Sequence, residues 1–403
     1  MFVSSVRLVH FRSYRESSVS FTSGLNVIVG ENASGKTNLL EGAFFALRAT
    51  SPRTRREDKL VTWGEGFARA VVELGGARSS TDGAHTVEVG YVPGQGKRVR
   101  IDGAEVASLD ELRRRTQVFI FVPESLLLIK GSPARRRAHL DAFVAALDPG
   151  YEGALQEMNV ALRQRNAQLT RVREGAAAAT LDPWDVQLVR TAIALADRRR
   201  GAVARLSAHF ERVACHLAPE GAHWKVTLVS QLDEIGNDAE AYAAALRARR
   251  GRDMQRGLTL VGPHRDDIVF AETGEAAAGG EPPAADVDLA VDLAADPPPG
   301  GRDLRLYGSQ GEQRTAVLAL LLAEQAYARE ETGELGTLFL DDVMSELDDA
   351  RRRRLVEMLM SSGQAIVTTT NRHYFTGDEL AAATVVELPL TAATAGPGDA
   401  ADG

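Results

Sequence analysis

The sequence predicts an α/β protein in which a mixed sheet is joined by an antiparallel layer and by an inserted, mainly helical lobe. Three observations support this fold class. A short apolar strand, a glycine-rich loop and a helix follow one another within 25–47. A second apolar strand, at 337–340, ends in the carboxylates Asp341 and Asp342. Between the two, 131–256 repeats apolar residues at helical spacing.

The glycine-rich loop matches G-x-x-x-x-G-K-[ST], the pattern of a phosphate-binding loop. Its backbone N–H groups are expected to surround a phosphate at the positive end of the helix dipole. Lys36 is expected to reach the β- and γ-phosphates of ATP, and the Thr37 hydroxyl to ligate Mg²⁺. An ordinary glycine turn is the alternative. The predicted nucleotide-binding residues here are Gly30, Glu31, Asn32, Ala33, Ser34, Gly35, Lys36, Thr37 and Asn38.

The lysine in this loop stands out from the composition. The chain has 47 Lys and Arg residues, of which the lysines are Lys36, Lys59, Lys97, Lys130 and Lys225. Because arginine is used almost everywhere else, the pattern favours a required, compact ammonium at position 36.

The bulk composition is that of a soluble globular protein. A chain of 403 residues predicts two or three domains. Cys215 is the only cysteine, which excludes disulfides within the chain and thiolate metal clusters. We find no signal-peptide pattern and no apolar run long enough to cross a bilayer. A cytoplasmic protein without a membrane partner is therefore expected.

The net charge of −8 argues against nucleic acid as a partner, but the acidic residues are unevenly placed. The segment 271–300 carries seven Asp and Glu residues and no Lys or Arg. The rest of the chain is close to neutral and contains clustered arginines. A basic face is therefore compatible with the composition.

The segments around the loop predict short strands. Strands at 3–10 and 19–21 are joined through Arg12, which lies either near a bound nucleotide or in a surface loop; both alternatives remain open. A small antiparallel layer is predicted from strands at 70–74, 86–91 and 98–101, with turns at 82–83 and 102–103. The continuous apolar run 118–122 predicts a central buried strand.

The middle of the chain predicts helices. Ser132 and Pro133 begin one that ends at 148–150. Helices at 151–174 and 182–217 are expected to form a short antiparallel hairpin, on the heptad spacing of Leu155, Leu162 and Leu169 and of Val203, Leu206, Phe210, Val213 and Leu217. A strand at 224–228 and a helix at 239–250 follow.

Arginines recur in this lobe. They form solvated helix faces or contact a phosphate backbone, and the sequence leaves both alternatives open. They are Arg135, Arg136, Arg137, Arg198, Arg199, Arg200, Arg247, Arg249, Arg250 and Arg252.

Domain boundaries follow from these patterns. Residues 1–130 and 257–390 are predicted to form one domain in two sequence halves, and 131–256 the helical lobe. Strands are expected at 258–261 and 268–270. The segment 271–303 is predicted to be an acidic, disordered insert, and 391–403 a disordered tail.

Two carboxylates complete the predicted nucleotide site. A strand-end aspartate beside a phosphate loop holds Mg²⁺ in P-loop ATPases, which assigns the metal to Asp341, directly with Thr37 or through water. Asp342 is expected to orient or deprotonate the attacking water. Lys36, Asp341 and Asp342 are the predicted catalytic residues, and Ser345, Glu346, Leu347 and Asp348 follow them.

A second anion site is predicted at 309–313. Ser309 and Glu312 form a capping-box pattern at a helix start, and such a helix start binds anions. Two anion sites in one chain indicate that one ATP lies between two subunits. The residues of this segment are Ser309, Gln310, Gly311, Glu312 and Gln313.

Together, these motifs resemble the ABC-type ATPase heads of transporters, SMC proteins and long-armed break-repair ATPases, and most of all the RecF family. The resemblance extends from the first strand to about Asn371. It rests on the stretches 8–14, 24–41, 130–137, 262–267, 309–315 and 340–348.

The resemblance implies an ABC-type ATPase head that binds ATP, forms a homodimer around it and binds duplex and gapped or junction DNA. It implies weak, DNA-dependent ATP hydrolysis, action with RecO and RecR in loading recombinase at single-strand gaps, and a link to the SOS response. The 309–313 segment resembles the family's signature, which acts on the partner's ATP, and 345–348 its dimer-contact loop. Arg12 is added to the nucleotide-binding residues.

Some positions depart from the family pattern. Ala33 replaces a usual glycine. The histidine of transporter heads is replaced by 366–371, where Thr369 or Thr370 is a candidate γ-phosphate sensor. Gln117 and Glu124 are weak candidates for the Gln loop.

A transporter subunit and an SMC-like structural ATPase are the alternative functions. The clustered arginines disfavour a transporter subunit, and the short helical lobe disfavours an SMC-like ATPase.

Overall fold

The computed structural model describes residues 1–76, 85–106, 116–273 and 301–388. The strands are β1 (Phe2–Phe11), β2 (Tyr14–Ser20), β3 (Leu25–Val29), β4 (Ala68–Gly75), β5 (His85–Val92), β6 (Gly96–Ile101), β7 (Ala104–Glu105), β8 (Val118–Phe121), β9 (His223–Val229), β10 (Asp267–Thr273), β11 (Arg302–Asp303), β12 (Thr337–Leu340), β13 (Ala365–Thr369) and β14 (Thr384–Glu387).

The α-helices are α1 (Lys36–Arg48), α2 (Leu127–Lys130), α3 (Pro133–Leu147), α4 (Pro149–Arg173), α5 (Asp182–Leu217), α6 (Gln231–Ile235), α7 (Ala239–Arg256), α8 (Leu304–Tyr307), α9 (Gln310–Thr332), α10 (Asp349–Ser361) and α11 (Gly377–Ala382). None of these helices is both long enough and apolar enough to span a bilayer. Residues 1–124 and those from Glu334 onward form one unit, and Ser125–Gly333 form the second.

The first unit contains a parallel sheet with the strand order β14-β3-β13-β12-β8. Strands β3, β8, β12 and β13 are almost wholly buried, because both faces of the sheet are covered at these strands. The prediction of a central strand at 118–122 is wrong in one respect. Strand β8 is fully buried, but it lies at the edge of the sheet. An apolar run indicates that both faces of a strand are covered, and it does not indicate whether the strand is central or at an edge.

The first unit also contains an antiparallel sheet with the order β2-β1-β4-β5-β6-β7, which confirms the predicted antiparallel layer. Side chains along its strands alternate between the two faces of the sheet, so Ala70 and Val72 are buried while Arg69 and Glu73 are exposed. Helix α1 packs against this sheet, and Phe45 contacts Phe11 with a ring separation of 5.7 Å. The predicted turn at 102–103 is present, and the one at 82–83 lies outside the described residues.

The second unit is built on helix α5. Helix α4 packs along its first part, where Asp148 accepts a hydrogen bond from Arg198. The predicted apolar stripe of α5, from Val203 to Leu217, is buried, but it packs elsewhere than in the hairpin. Phe210 contacts Phe270 of β10, and α5 also packs on β9 and α9. The stripe therefore belongs to a core under the sheet β11-β10-β9.

Three predicted segments differ in the structure, and the first is the helix predicted at 239–250, which continues to Arg256. No strand forms at 258–261, because side chains bind its N–H groups: Thr259 N donates to Asn166 and Leu260 N to Asp253. The predicted disordered insert begins and ends in paired strands, since 271–273 and 302–303 belong to β10 and β11. Residues 274–300 and the tail 391–403 lie outside the described part of the chain.

The division into units differs from the predicted domain boundaries. Residues 257–273 and 301–333 pack with the helical segment, because β10 pairs with β9 and α9 packs on α5. The prediction that 257–390 forms half of one domain rested on sequence motifs and stays a prediction.

Candidate nucleotide-binding site

The candidate site lies at the carboxyl edge of the parallel sheet. In register, Val29 pairs with Thr369 and Leu340 pairs with Val367. Strands β3, β12 and β13 therefore end at the same edge of the sheet. The loop 30–37 follows β3, Asp341 and Asp342 follow β12, and Thr368 lies near the end of β13. The structure thus brings together the two halves of the predicted nucleotide site.

The loop conformation favours glycine at two positions. A Cβ on Gly30 would lie 2.6 Å from Ser34 Oγ, and one on Gly35 would lie 2.7 Å from the Tyr14 hydroxyl oxygen. Gly35 also has a φ of 100°, and the Tyr14 hydroxyl donates to its carbonyl at 3.1 Å. Burial raises the pKa of Tyr14 to about 12, so this hydroxyl stays protonated at neutral pH.

Ala33 occupies a left-handed conformation with a φ of 66°. This explains the usual glycine at this position, because a Cβ costs roughly 1 kcal/mol in this region. The chain forms the loop with that strain, and the side chain of Ala33 is exposed rather than directed into the fold. The departure from the family pattern therefore leaves the loop intact.

Lys36 lies inside the loop. Its Nζ donates to the carbonyl oxygens of Gly30 at 2.7 Å and Glu31 at 2.8 Å, and the residue is 7% exposed. Burial lowers the pKa of this ammonium, while the charges of Asp342 and Asp341 oppose the shift. Neutral carbonyls are its nearest acceptors. An anionic phosphate is a stronger acceptor for the same ammonium.

Asp341 is held by two hydroxyls. Thr37 donates to Oδ2 and Thr368 donates to Oδ1, both at 2.7 Å. A carboxylate beside a phosphate-loop hydroxyl fits Mg²⁺, which uses one or two carboxylates together with substrate phosphates. No cluster of three or more His, Cys, Asp or Glu that could hold a metal occurs in the described ranges. The residues present therefore fit a metal bound jointly with phosphate.

Asp342 has a different environment. Its φ is 47°, and its backbone N–H donates to Thr368 Oγ1 at 3.0 Å. The Oδ1 atom is buried without a hydrogen-bond partner in the structure. Burial raises the pKa of this carboxyl, as does the charge of Asp341, whereas Ser345 and Lys36 oppose the shift. A strained, partly desolvated carboxylate of this kind fits a general base.

Sequence reasoning missed Thr368. Its hydroxyl joins the Asp341 carboxylate to the Asp342 backbone, whereas Thr369, one of the candidate sensors, donates its hydroxyl to the Asn371 carbonyl at 3.1 Å. The one signal that could have indicated this role is the position of Thr368 in a parallel strand beside β12. His373 is exposed.

Arg12 and Asn38 are tied to neighbouring side chains. Arg12 makes two hydrogen bonds, of 2.9 and 2.7 Å, to the fully buried carboxylate of Glu41. Arg53 shares that carboxylate and also donates to Asn38, whose amide donates to Ser13. The ion pair with Glu41 gives Arg12 a structural role that neither sequence alternative included.

The two Gln-loop candidates lie at opposite edges of the sheet. The Gln117 carbonyl accepts a hydrogen bond from Thr337, the first residue of β12, so Gln117 lies at the amino edge. Glu124 follows the carboxyl end of β8, on the side of the phosphate loop. Its Oε1 lies 3.6 Å from Arg53 Nε, and its Oε2 is buried without a hydrogen-bond partner. The geometry favours Glu124.

The signature segment lies in the second unit. The capping box is confirmed, since Glu312 N donates to Ser309 Oγ at 3.2 Å and Ser309 N donates to Glu312 Oε2 at 2.7 Å. Glu312 also pairs with Arg302, and the buried Gln313 amide donates to two backbone carbonyls. Ser309 and Gln310 are exposed. The surface offered to a ligand is therefore the helix start rather than Glu312 or Gln313.

The predicted dimer-contact loop is only partly exposed. Ser345, Glu346 and Asp348 are exposed, while the Leu347 side chain is buried in its own subunit. Asp348 accepts a hydrogen bond from Arg351 N at 2.9 Å and caps α10. The exposed surface of this loop is therefore polar.

Six of the ten lobe arginines have partners within the chain. Arg136 pairs with Asp267, Arg137 donates to the Asp266 carbonyl, Arg198 pairs with Asp148, Arg199 with Asp141 and Asp266, Arg200 with Asp233, and Arg250 with Asp182 and Asp185. Arg136 and Arg199 are buried. A solvated helix face and a contact with a phosphate backbone both need an exposed arginine, so neither predicted role fits Arg136 or Arg199. Arg135, Arg247, Arg249 and Arg252 make no side-chain hydrogen bond or ion pair within the described ranges.

The chain resembles known proteins over nearly its whole length. The model of the RecF/RecN/SMC N-terminal domain matches residues 2–387. The DNA replication and repair protein RecF of Heliobacterium modesticaldum is 34% identical over 357 residues, and that of Symbiobacterium thermophilum is 36% identical over 364 residues. In both cases, the match covers 87% of each chain.

Solved structures agree with these sequence matches. The recombination mediator protein RecF with ATP, in the RecFOR pathway, has a TM-score of 0.75 at 27% identity, with 94% of each chain covered. An Smc head domain from Pyrococcus furiosus has a TM-score of 0.52 at 16% identity and shares the fold alone. The predicted ABC-type ATPase head fold is confirmed, and the chain belongs to the RecF/RecN/SMC family, within which it groups with the RecF proteins.

Proposed function

We propose that this chain is an ATP-switched DNA-binding protein of replication and recombinational repair. The observation that carries the proposal is the 2.7 Å hydrogen bond from Thr37 to Asp341, which joins the phosphate loop to the carboxylate strand. The relatives named as DNA replication and repair proteins support the biological role. The related structure with ATP supports the ligand.

We assign the roles in ATP binding to the residues of the loop and to the two carboxylates. Lys36 would exchange its two carbonyl acceptors for phosphate oxygens, and Thr37 with Asp341 would hold Mg²⁺. The metal supplies positive charge beside the phosphate oxygens. Asp342 would hold the attacking water and accept its proton as the bond from the γ-phosphorus to ADP breaks.

The signature and dimer-contact segments support a homodimer. Ser309 of the partner subunit would complete the phosphate site, and the polar residues Ser345, Glu346 and Asp348 would contact the partner. ATP binding would thus favour a closed dimer that retains DNA, and weak, DNA-dependent hydrolysis would release it. Action with RecO and RecR at gapped DNA, a link to the SOS response, and a cytoplasmic, nucleoid-associated location follow from family membership as proposals.

The test is the solution mass of the full chain with and without Mg-ATP, with and without duplex DNA, at two salt concentrations. We expect the mass to double only with ATP, and the doubled species to hold DNA less well at high salt. Asp342→Asn should prolong the doubled state. A chain that binds ATP but stays monomeric and ignores DNA would contradict the proposal.

A further inference from the structure

Thr368 is a buried polar residue between the strand that leads to the phosphate loop and the strand that ends in the two carboxylates. In register, Thr368 pairs with Ile28 of β3, and the preceding residue, Val367, pairs with Leu340 of β12. Thr368 is 0% exposed. A hydroxyl at this depth costs free energy unless it is hydrogen-bonded. The partners of this hydroxyl therefore define its role.

The Thr368 hydroxyl holds both aspartates of the candidate site. Its oxygen accepts the backbone N–H of Asp342 at 3.0 Å. Its single proton is donated to Asp341 Oδ1 at 2.7 Å. A hydrogen bond to a carboxylate is of the charge-assisted kind, which is stronger than a bond between neutral groups. One side chain thus fixes the Asp341 carboxylate relative to the Asp342 backbone.

The two oxygens of the Asp341 carboxylate have different surroundings as a result. Oδ2 accepts from the Thr37 hydroxyl at 2.7 Å, at the end of the phosphate loop, whereas Oδ1 accepts from Thr368 within the sheet. Asp341 is buried, so these two hydroxyls rather than bulk water orient its carboxylate. A ligand in the phosphate loop therefore meets Oδ2, while Oδ1 is already hydrogen-bonded.

The number of carboxylate oxygens that a site offers affects which metal it prefers. Mg²⁺ demands near-ideal octahedral geometry and is bound by one or two carboxylates together with phosphates and water. Ca²⁺ accepts more ligands in a flexible geometry, and it binds carboxylates through one oxygen or through both. A carboxylate that offers one oxygen consequently suits Mg²⁺ better than Ca²⁺.

We propose that Thr368 is a positioning residue that sets the metal preference of the ATP site, by holding Oδ1 of Asp341 away from the metal and leaving Oδ2 for Mg²⁺. The proposal rests on the proposed function in one respect, that ATP binds with a divalent cation held by Thr37 and Asp341. Thr368 itself contacts neither ATP nor the metal. A purely structural hydroxyl is the alternative, and it would stabilise the sheet without any preference between metals.

The test uses the full chain and Thr368→Val, which keeps the shape of the side chain but lacks the hydroxyl. Binding of adenylyl imidodiphosphate, an ATP analogue that resists hydrolysis, is measured by calorimetry with excess Mg²⁺, with excess Ca²⁺ and with a chelator. With Mg²⁺ we expect binding to weaken by about 10- to 100-fold, the usual loss when a partner of a metal ligand is removed. With Ca²⁺ the loss should be smaller, because the freed Oδ1 becomes available to that ion. With the chelator, binding should be unchanged, because Lys36 and the loop N–H groups are retained.

Thr337→Val is the matched control. Thr337 is buried in β12 of the same sheet, but its hydroxyl donates to Gln364 Oε1 at 2.9 Å, at the opposite, amino edge. This variant should bind the analogue as the unaltered chain does under all three conditions. Thr368→Ser, which retains the hydroxyl, should keep the preference for Mg²⁺. Thr368→Ala replaces the valine variant if that chain does not fold, and it should show the same pattern of losses.

The three binding conditions also separate this proposal from the proposed function. Equal weakening by Thr368→Val in all three, or an unchanged ratio of the Mg²⁺ and Ca²⁺ affinities, would overturn the role of Thr368 and leave the ATP site standing. An unaltered chain that binds the analogue no better with Mg²⁺ than with the chelator would contradict a metal held by Thr37 and Asp341, and both proposals would then fail.

Discussion

Ser345 lies against Asp342, with its hydroxyl oxygen 2.9 Å from the Asp342 carbonyl oxygen and 3.1 Å from Oδ2. The hydroxyl belongs to the loop that family resemblance assigns to dimer contact. The carboxylate is the candidate base. The loop and the reacting group are therefore connected within one subunit, and displacement of Ser345 would change the hydrogen bonding of Asp342.

Ser345→Ala should retain ATP binding but shift the pH dependence of hydrolysis. The hydroxyl lowers the pKa of Asp342 against the larger raising effect of burial, so its loss should raise that pKa further. A base must be deprotonated, so the acid limb of the rate profile should move to higher pH. ATPase rates measured across pH test this. Ser361→Ala, which removes a hydroxyl bonded to backbone carbonyls, is the control and should leave the profile unchanged.

Lys36→Met should abolish ATP binding, because no other ammonium lies in the loop. The variant also loses two hydrogen bonds to carbonyls, so its thermal midpoint is measured alongside nucleotide binding by calorimetry. Lys59→Met removes an exposed ammonium outside the loop and should bind ATP normally. ATP affinity retained by a folded Lys36→Met chain would refute the assignment.

Ser309→Arg should bind ATP yet remain monomeric, because a long side chain would block the helix start from the partner's phosphate. The substitution also removes a helix cap, at a cost of about 1 kcal/mol. Thr376→Arg is the matched control, since Thr376 forms a second capping box with Glu379. Both variants should lose similar stability, but only Ser309→Arg should lose the ATP-dependent doubling of mass. An equal effect on mass would contradict the signature assignment.

Arg199→Met should destabilise the second unit by roughly 3–5 kcal/mol, because it leaves Asp141 and Asp266 without their buried cation. Arg198→Met, at the neighbouring position, removes an exposed pair with Asp148 and should cost less than about 1 kcal/mol. Denaturant unfolding compares the two. Equal, small losses would show that the buried network contributes little to the fold.

Local patterns carried much of the correct prediction. The strand, loop and helix at the phosphate site, the capping box at Ser309 and the strand before Asp341 each depend on residues close in sequence. Backbone conformation and helix capping are decided over a few residues, so spacing alone predicts them. The strand predicted at 258–261 failed because partners distant in the chain, such as Asn166, bind its backbone.

The sequence by itself determined the loop pattern, the paired carboxylates, most of the helix boundaries and the family; the helix predicted at 239–250 ends at Arg256 instead. Only the tertiary structure decided that Thr368 joins Asp341 to Asp342, that Arg12 binds Glu41, that β8 lies at an edge, and that six lobe arginines are occupied within the chain. The physical reason is that hydrogen bonds and ion pairs between distant residues depend on sheet register and helix packing. A linear pattern of residue types does not specify which of several threonines or carboxylates will be adjacent.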